Sequence, residues 1–371
     1  MRAIAVFPKE RRVALIDNHP EPFITLPTEI KLQILEVGVC ATDRDITHFA
    51  YGTPPDGSDY LVIGHEALGR VVEIGTAVTR FKIGDLVVPE VRRPCTQTSC
   101  EACQSDRQDF CYSGEYHERG IKQLHGFMTE YVVDDEQYML LVPENLRPVG
   151  VLTEPLTIAE KALNQIHGIQ SRFPWECRHT SCEPIDNCHN AVVVGAGPVG
   201  LLGAMVLVNQ NFNTSVYSRE KDGSTQAGIV QQIGGTYVCS VTQSPEQLAA
   251  SVNNIDVVYE ATGVPSVSFQ VLDVLGINGI YAFTGIPRDA DILPEAMGTI
   301  MRNLVLKNQA LVGSVNASTQ DFAAAIKDLG SFIDKWPVLM NTLIVRYPMD
   351  QYEALLMEAN ANFKNVLTIA E

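Results

Sequence analysis

The sequence predicts an α/β protein: a β-rich domain first, then a doubly wound domain built on a six-stranded parallel sheet. Three observations carry the prediction. Residues 1 to about 38 alternate apolar and polar side chains between Pro20, Pro22 and Pro27, the pattern of short antiparallel strands. From Asn190 the pattern changes to short β-branched runs alternating with helical stretches, as parallel strands joined by crossovers require. Between the first such run and the first such helix stands Gly195-Ala196-Gly197-Pro198-Val199-Gly200. At 371 residues the chain is long enough for two domains, each with a core of its own.

Composition narrows the function classes. An apolar fraction of 46% with 19% charged residues is that of a soluble globular chain. A net charge of −17 repels phosphate and argues against nucleic acid or an anionic membrane as partner. The run from Ala191 to Val208 approaches the length of a membrane span, but its glycines and Pro198 fit a strand, a turn and a buried helix. Met1 to Val6 reads as a strand rather than a secretory signal. The chain is therefore read as cytoplasmic, and its nine cysteines as ligands or inert thiols rather than a disulfide framework.

In order, Gly38-Val39-Cys40-Ala41-Thr42-Asp43 ends a strand and begins a short helix. Tyr51 to Asp59 is a loop, and Tyr60 to Val88 is β-rich with a turn at Gly84-Asp85. Cys95, Cys100, Cys103 and Cys111 follow with spacing C-x4-C-x2-C-x7-C in a turn-rich loop. Four thiols so close match a closed, tetrahedral structural zinc site, which folds a lobe too small for its own core (about 92–115). Glu115 to Tyr131 returns to the β-rich domain, and Thr153 to Leu163 reads as a helix leading out of it. The connector 168–190 carries Cys177, His179, Cys182, Cys188 and His189. Their spacing matches no metal site, so a loop with incidental thiols is preferred to a third metal centre.

The second domain places strands at Val192–Val194, Ser215–Ser218, Tyr237–Cys239, Asp256–Tyr259, Gly279–Phe283 and Ala310–Gly313. Ser244-Pro245-Glu246-Gln247 opens one of the intervening helices with a serine cap, an early proline and glutamine at the capping-box position. After Val315 the chain reads as helical, with a closing strand near Val366–Ile369 that rejoins the first domain. The expected domains are 1–187, 188–312 and a return over 313–371.

Two stretches carry chemistry. His65 and Glu66 sit side by side in Gly64-His65-Glu66-Ala67-Leu68-Gly69, with Cys40 upstream and Glu154 at a later helix start. A thiolate, an imidazole and carboxylates are the ligand set of a catalytic zinc. Glu66 reads equally as a ligand or as a carboxylate that orients one, and Glu154 as a ligand or a helix-start charge. The glycine stretch reads as a dinucleotide fingerprint, with Gly195, Gly197, Pro198, Val199 and Gly200 set to receive a pyrophosphate at a helix N-terminus. The second strand ends in Ser218-Arg219-Glu220 rather than in a lone carboxylate, which accommodates a 2′-phosphate and favours NADP. The alternative is that Arg219 stacks on adenine while Glu220 takes the ribose of NAD. Thr262, Gly263, Thr284 and Gly285 are further candidate cofactor contacts.

Gly64-His65-Glu66-x2-Gly69-x5-Gly75-x2-Val78, with Cys40, the four-cysteine lobe and the glycine fingerprint, resembles the zinc-dependent medium-chain dehydrogenases over nearly the whole chain. Val91-Arg92-Arg93, Gly114 to Ile121, Leu124 to Met128, Glu154-Pro155-Leu156 and Leu311 to Asn316 are similar to the archaeal-type glucose 1-dehydrogenases of that family. The resemblance implies a GroES-like catalytic domain, a Rossmann domain, an active site in the cleft between them, and a homo-oligomer, dimer or tetramer. It implies Cys40, His65, Glu66 and Glu154 at the catalytic zinc, and Thr42 at the reacting oxygen. Glu118, Glu154 and Asn316 fall at positions that hydrogen-bond sugar hydroxyls. The implied reaction passes a hydride from C1 of an aldose, D-glucose or galactose, to NADP and gives the aldonolactone. The alternatives are a zinc alcohol or polyol dehydrogenase of the same fold, and a catalytically silent NADP-binding redox sensor. Three departures stand out: Ala41 replaces the usual glycine, the first gap of the lobe is x4 rather than x2, and Glu220 stands where a second arginine is common.

Overall fold

The structure is a computed structural model that describes residues 1–175, 189–287, 297–357 and 362–370. The chain divides into two compact units, Met1–Thr157 with Asn316–Gly330 and Met340–Glu371, and Ile158–Val315 with Ser331–Leu339.

The first unit opens with β1 (Ala3–Phe7), β2 (Arg12–Ile16), β3 (Glu29–Gly38), helix α1 (Ala41–Thr47), β4 (Leu61–Val62) and β5 (Glu66–Ile74). It continues through β6 (Leu86–Pro89), β7 (Arg92–Arg93), α2 (Glu101–Gln104), β8 (His117–Arg119), β9 (Gln123–Leu124), β10 (Tyr131–Asp135) and β11 (Met139–Leu141). Helix α3 (Thr153–Gln170) leaves it. The second unit runs β12 (Asn190–Val194), α4 (Pro198–Asn209), β13 (Asn213–Ser218), α5 (Thr225–Gln232), β14 (Thr236–Cys239), α6 (Pro245–Val252) and β15 (Val257–Glu260). It ends with α7 (Pro265–Asp273), β16 (Ile280–Phe283), α8 (Met297–Leu306) and β17 (Ala310–Gly313). The chain then passes through α9 (Thr319–Lys335), α10 (Pro337–Met340), β18 (Ile344–Pro348), α11 (Tyr352–Met357) and β19 (Lys364–Thr368).

Strand β3 is the centre of the first unit, pairing with β5, β10 and β19 in a seven-stranded sheet. Eight of its ten residues are buried, so the alternation read from the sequence gives way to a strand covered on both faces. Its buried Glu36 is neutralised by Arg147 at 2.7 Å and Arg346 at 2.8 Å. Arg346 lies on β18, a strand in a stretch the sequence reads as helical. Ile344-Val345-Arg346-Tyr347-Pro348 is short and closes on a proline, and among the described residues it pairs with β19 only, as an edge strand can.

In the second unit six parallel strands lie in the order β14-β13-β12-β15-β16-β17. The strand order reverses between β12 and β15, which opens a crevice at their carboxyl ends, the ligand position of doubly wound sheets. The fold is thus the predicted α/β type, with the predicted six-stranded parallel sheet. Ser244 and Gln247 form the expected capping box at the start of α6.

Candidate active site

Sheet register assembles the first cluster. Gly38, the last residue of β3, pairs with Glu66 on one side and Val366 on the other. The chain turns immediately into α1, where Cys40 is the N-cap: its sulfur accepts from the Thr42 amide at 3.2 Å, and Asp43 Oδ2 accepts from the Cys40 amide at 2.9 Å. This is a capping box with cysteine in the serine position. Cys40 Sγ lies 3.1 Å from His65 Nε2, and these atoms and a Glu66 carboxylate oxygen fall within 4.8 Å of one another. One soft and two harder donors at that spacing fit a zinc ion with a position left open. Glu154, on the first turn of α3, is buried nearby but outside that set. Thr42 is half-buried beside Cys40.

Two residues the sequence reading left without a role support the cluster. Asp43 Oδ1 stands 3.4 Å from His65 Nδ1, on the ring edge away from Cys40, and so orients the imidazole. Burial opposes charge on His65, yet Cys40 and Asp43 raise its pKa well above the ordinary value. Lys364, the first residue of β19 and 2% exposed, ion-pairs with Glu66 Oε2. Burial opposes its charge too, but Glu66 raises its pKa. A Cβ at position 38 would collide with this pair, which is why the strand ends in glycine there. Glu154 is pushed up to about 7, first by burial and, among its neighbours, upward by Glu66 against the downward pull of His65. The Asp43 signal was legible as C-x-x-D at a helix start. Lys364 had none.

The predicted sugar contacts also meet. Asn316 Nδ2 donates to Glu118 Oε1 at 3.1 Å, and Arg92 donates to the same oxygen through Nε at 3.0 Å and Nη2 at 2.9 Å.

The four lobe cysteines form a second group, their sulfurs within 4.8 Å of one another and Cys95 among them despite its longer gap. Cys100 and Cys111 sulfurs are 3.9 Å apart, close to the roughly 3.8 Å edge of a tetrahedral zinc–thiolate site. Backbone amides of Cys103 and Tyr112 lower the Cys100 pKa to about 6, whereas burial raises Cys103 to about 12. Within the connector, His189 packs on Trp175 with ring centres 4.4 Å apart. Cys177, His179, Cys182 and Cys188 lie outside the described residues.

The glycine turn joins β12 to α4 with Gly195 at φ +103°, a left-handed conformation that favours glycine. Gly197 N-caps α4 without a side-chain cap, and nothing lies within 4 Å of where its Cβ would be. Open space above free helix amides is what a pyrophosphate needs, so the turn fits a dinucleotide. Pro198, Val199 and Gly200 form the first turn of the helix. Ser218 Oγ accepts from the Ala196 amide at 3.1 Å and donates to Glu220 Oε2 at 2.5 Å, while the Arg219 side chain is 89% exposed. After β15, Glu260 Oε1 accepts from the amides of Thr262 at 2.7 Å and Gly263 at 2.9 Å. Its carbonyl accepts from the Thr284 hydroxyl at 2.7 Å, and a Cβ at Gly285 would collide with Gly263. All the candidate cofactor residues therefore stand at strand carboxyl ends.

Comparison with known proteins agrees with this geometry. Residues 26–144 match the alcohol dehydrogenase GroES-like domain, and 147–369 match the glucose dehydrogenase C-terminus. The glucose 1-dehydrogenase of Methanocella arvoryzae is 36% identical over 93% of each chain. That of Thermoproteus tenax is 35% identical over 100% of this chain and 99% of its own. The solved glucose dehydrogenase of Haloferax mediterranei, in complex with NADP, Zn and gluconolactone, matches with a TM-score of 0.86 at 33% identity over all of both chains. The chain therefore belongs to the glucose dehydrogenase family of zinc-dependent medium-chain dehydrogenases, and it is an enzyme.

Proposed function

We propose that the chain oxidises an aldose, D-glucose or galactose, at C1, with NADP+ as hydride acceptor, and releases the aldonolactone. The observation that carries this reading is the set of half-buried Cys40 with buried His65 and Glu66, with donor atoms within 4.8 Å of one another and the Thr42 amide donating to the cysteine sulfur. The Haloferax relative, which holds NADP, Zn and gluconolactone, supports it. Zinc held by Cys40, His65 and Glu66 or Glu154 supplies Lewis acidity toward an alcohol oxygen, and the nicotinamide supplies a hydride acceptor. A second zinc belongs to Cys95, Cys100, Cys103 and Cys111.

Around that chemistry the side chains divide the work. Thr42 takes the proton that leaves the C1 hydroxyl and passes it toward solvent. The C1–H electron pair leaves as hydride while C1–O becomes a carbonyl, so one proton and one hydride account for the lactone. Glu118, Glu154 and Asn316 pair sugar hydroxyls that would otherwise each cost about 1–3 kcal/mol on burial. Arg219 would meet the 2′-phosphate of NADP, and Glu220 would offer the ribose hydroxyls of NAD an acceptor.

A panel of aldoses, polyols and simple alcohols, followed by reduced-nicotinamide absorbance, tests the reading. D-Glucose or galactose should exceed sorbitol and ethanol in kcat/KM by on the order of 10²-fold or more. The reverse order identifies a polyol or alcohol dehydrogenase, and no turnover on this panel overturns the aldose reading.

We place the enzyme in the cytoplasm as a homo-oligomer, dimer or tetramer. No helix among the described residues is long and apolar enough to cross a membrane. The edge strand β17 exposes Leu311, and α8 exposes Met297, Met301, Val305 and Leu306. An apolar helix beside an open strand edge favours a second copy over solvent.

A further inference from the structure

We propose that Arg92 and Gln108 are positioning residues through which the four-cysteine lobe sets the sugar-reading pair Glu118 and Asn316. The proposal rests on the reading that this pair contacts sugar hydroxyls. One set of hydrogen bonds runs from the lobe to Glu118 and a second to Thr319, three residues after Asn316, and both start at one short turn.

The first passes through Arg92. It is the cross-strand partner of Glu118 where β7 meets β8, and both side chains are about 95% buried. Arg92 Nη1 donates to the carbonyls of Asp109 at 3.2 Å and Gln108 at 3.4 Å, in the 3-10 turn Gln108–Phe110 that leads directly into Cys111. Its Nε and Nη2 both donate to Glu118 Oε1, and the guanidinium lies 3.6 Å over the Tyr116 ring. With Asn316 on the same oxygen, Glu118 Oε1 is fully used. Among the described residues the hydrogen bonds to the Glu118 carboxylate all fall on Oε1, which leaves Oε2 for a ligand hydroxyl.

The second chain passes through Gln108 itself. Its Nε2 donates to Glu90 Oε2 at 3.0 Å, and Glu90 Oε1 accepts from the Thr319 hydroxyl at 2.6 Å. Thr319 begins α9, three residues after Asn316, which sits in the left-handed region at φ +59° with its own Oδ1 taken by the Ala317 amide. The lobe thus fixes Glu118 from one side and the Asn316 turn from the other. Only a planar guanidinium can donate to two carbonyls and a carboxylate at once, so lysine at 92 keeps the charge and loses the strut.

The test is R92K and Q108L in the zinc-loaded enzyme, read as KM for D-glucose, kcat, KM for NADP+, and glucose affinity by titration calorimetry. R92K should raise KM and the dissociation constant for glucose about tenfold, with kcat and KM for NADP+ within about twofold, and Q108L should do the same about threefold. Cys111→Ser, which loosens the lobe, should give the same split. An unchanged glucose KM in R92K, or equal losses in kcat and in both KM values, overturns the proposal. If R92K does not fold, an unchanged glucose KM in Q108L overturns it. A wild type that turns over no aldose removes the sugar reading and this inference together. A wild type that turns over glucose, with R92K indistinguishable from it, removes the inference alone.

Discussion

The two sulfur-containing clusters of the first unit gather their donors by opposite means. The lobe takes all four from seventeen consecutive residues, and its buried core is Cys95, Cys100, Ala102 and Cys103 with Cys111 packed against them. Its ordered elements are a four-residue helix and a three-residue 3-10 turn. So small a segment has little apolar core of its own, and a zinc ion on the four thiolates would add most to holding it compact, alongside the hydrogen bonds with Arg92 and Glu90. The Cys40–His65–Glu66 cluster instead hangs on β3, β5 and β19, strands paired within a seven-stranded sheet. A metal there is not needed for the fold. On the proposed reading, the lobe ion would serve structure and the ion at Cys40, His65 and Glu66 would serve chemistry.

Exchanging the consequences of two mutations would break that contrast. His65→Ala or Cys40→Ser should lower kcat/KM for the sugar by about 10³–10⁵-fold, or roughly 4–7 kcal/mol of transition-state stabilisation, with the melting temperature changed little. Cys100→Ser should remove the lobe zinc and lower the melting temperature by several degrees, with kcat kept within about threefold. Metal analysis, calorimetry and steady-state rates on the three variants decide it. Full activity in His65→Ala would place the chemistry elsewhere.

The same contrast explains what the sequence disclosed. The lobe is legible because its donors are local: a spacing pattern is the whole site. The strand positions of the second unit are legible because short β-branched runs alternate with helical stretches, punctuated by a glycine turn at Gly195 and a cap at Ser244-Pro245. The supports of the first cluster are not local. Lys364 pairs with a glutamate nearly three hundred residues earlier, and no periodicity announces a buried lysine. The sequence alone assigns Arg92 no role, since its partners Gln108, Asp109 and Glu118 come together through register and not through spacing. Strand β18 was missed because an edge strand of five residues with an arginine and a final proline has no pattern to distinguish it from a loop or a helix end.

Lys364→Met sharpens the comparison by removing a support and sparing the donors. In the zinc-free protein Glu66 would be left buried without its counter-charge, which costs about 3–5 kcal/mol when one partner of a buried pair is deleted. The loss should appear in the denaturant midpoint, and Glu66→Gln in the same background should recover most of it. An unfolding free energy within ~0.5 kcal/mol of wild type would mean that the Lys364–Glu66 pair contributes no net stability.

The smallest effect concerns how firmly β4 holds the segment that leads to His65. His125 Nδ1 accepts the Val62 amide at 3.1 Å, so the ring must be neutral at that nitrogen. The surrounding groups enforce this. Tyr60 stacks on the ring at 5.3 Å, His19 meets it edge-on at 5.1 Å, and Arg119 donates to the His125 carbonyl. Burial first, then His19 and Arg119, lower its pKa from the ordinary 6.5 to about 4. Because the unfolded chain binds this proton more readily, the contribution to stability is complete above about 6.5 and is lost as the pH falls through about 4. His125→Asn keeps an acceptor for Val62 and cannot be protonated. It should be less stable than wild type at pH 7 through loss of the ring stack, yet lose ~1–2 kcal/mol less between pH 7 and pH 4, with allowance for the ring's partial exposure. Parallel stability curves for the two proteins would show that His125 does not supply this acid sensitivity, and that the support of the first cluster owes nothing to its protonation state.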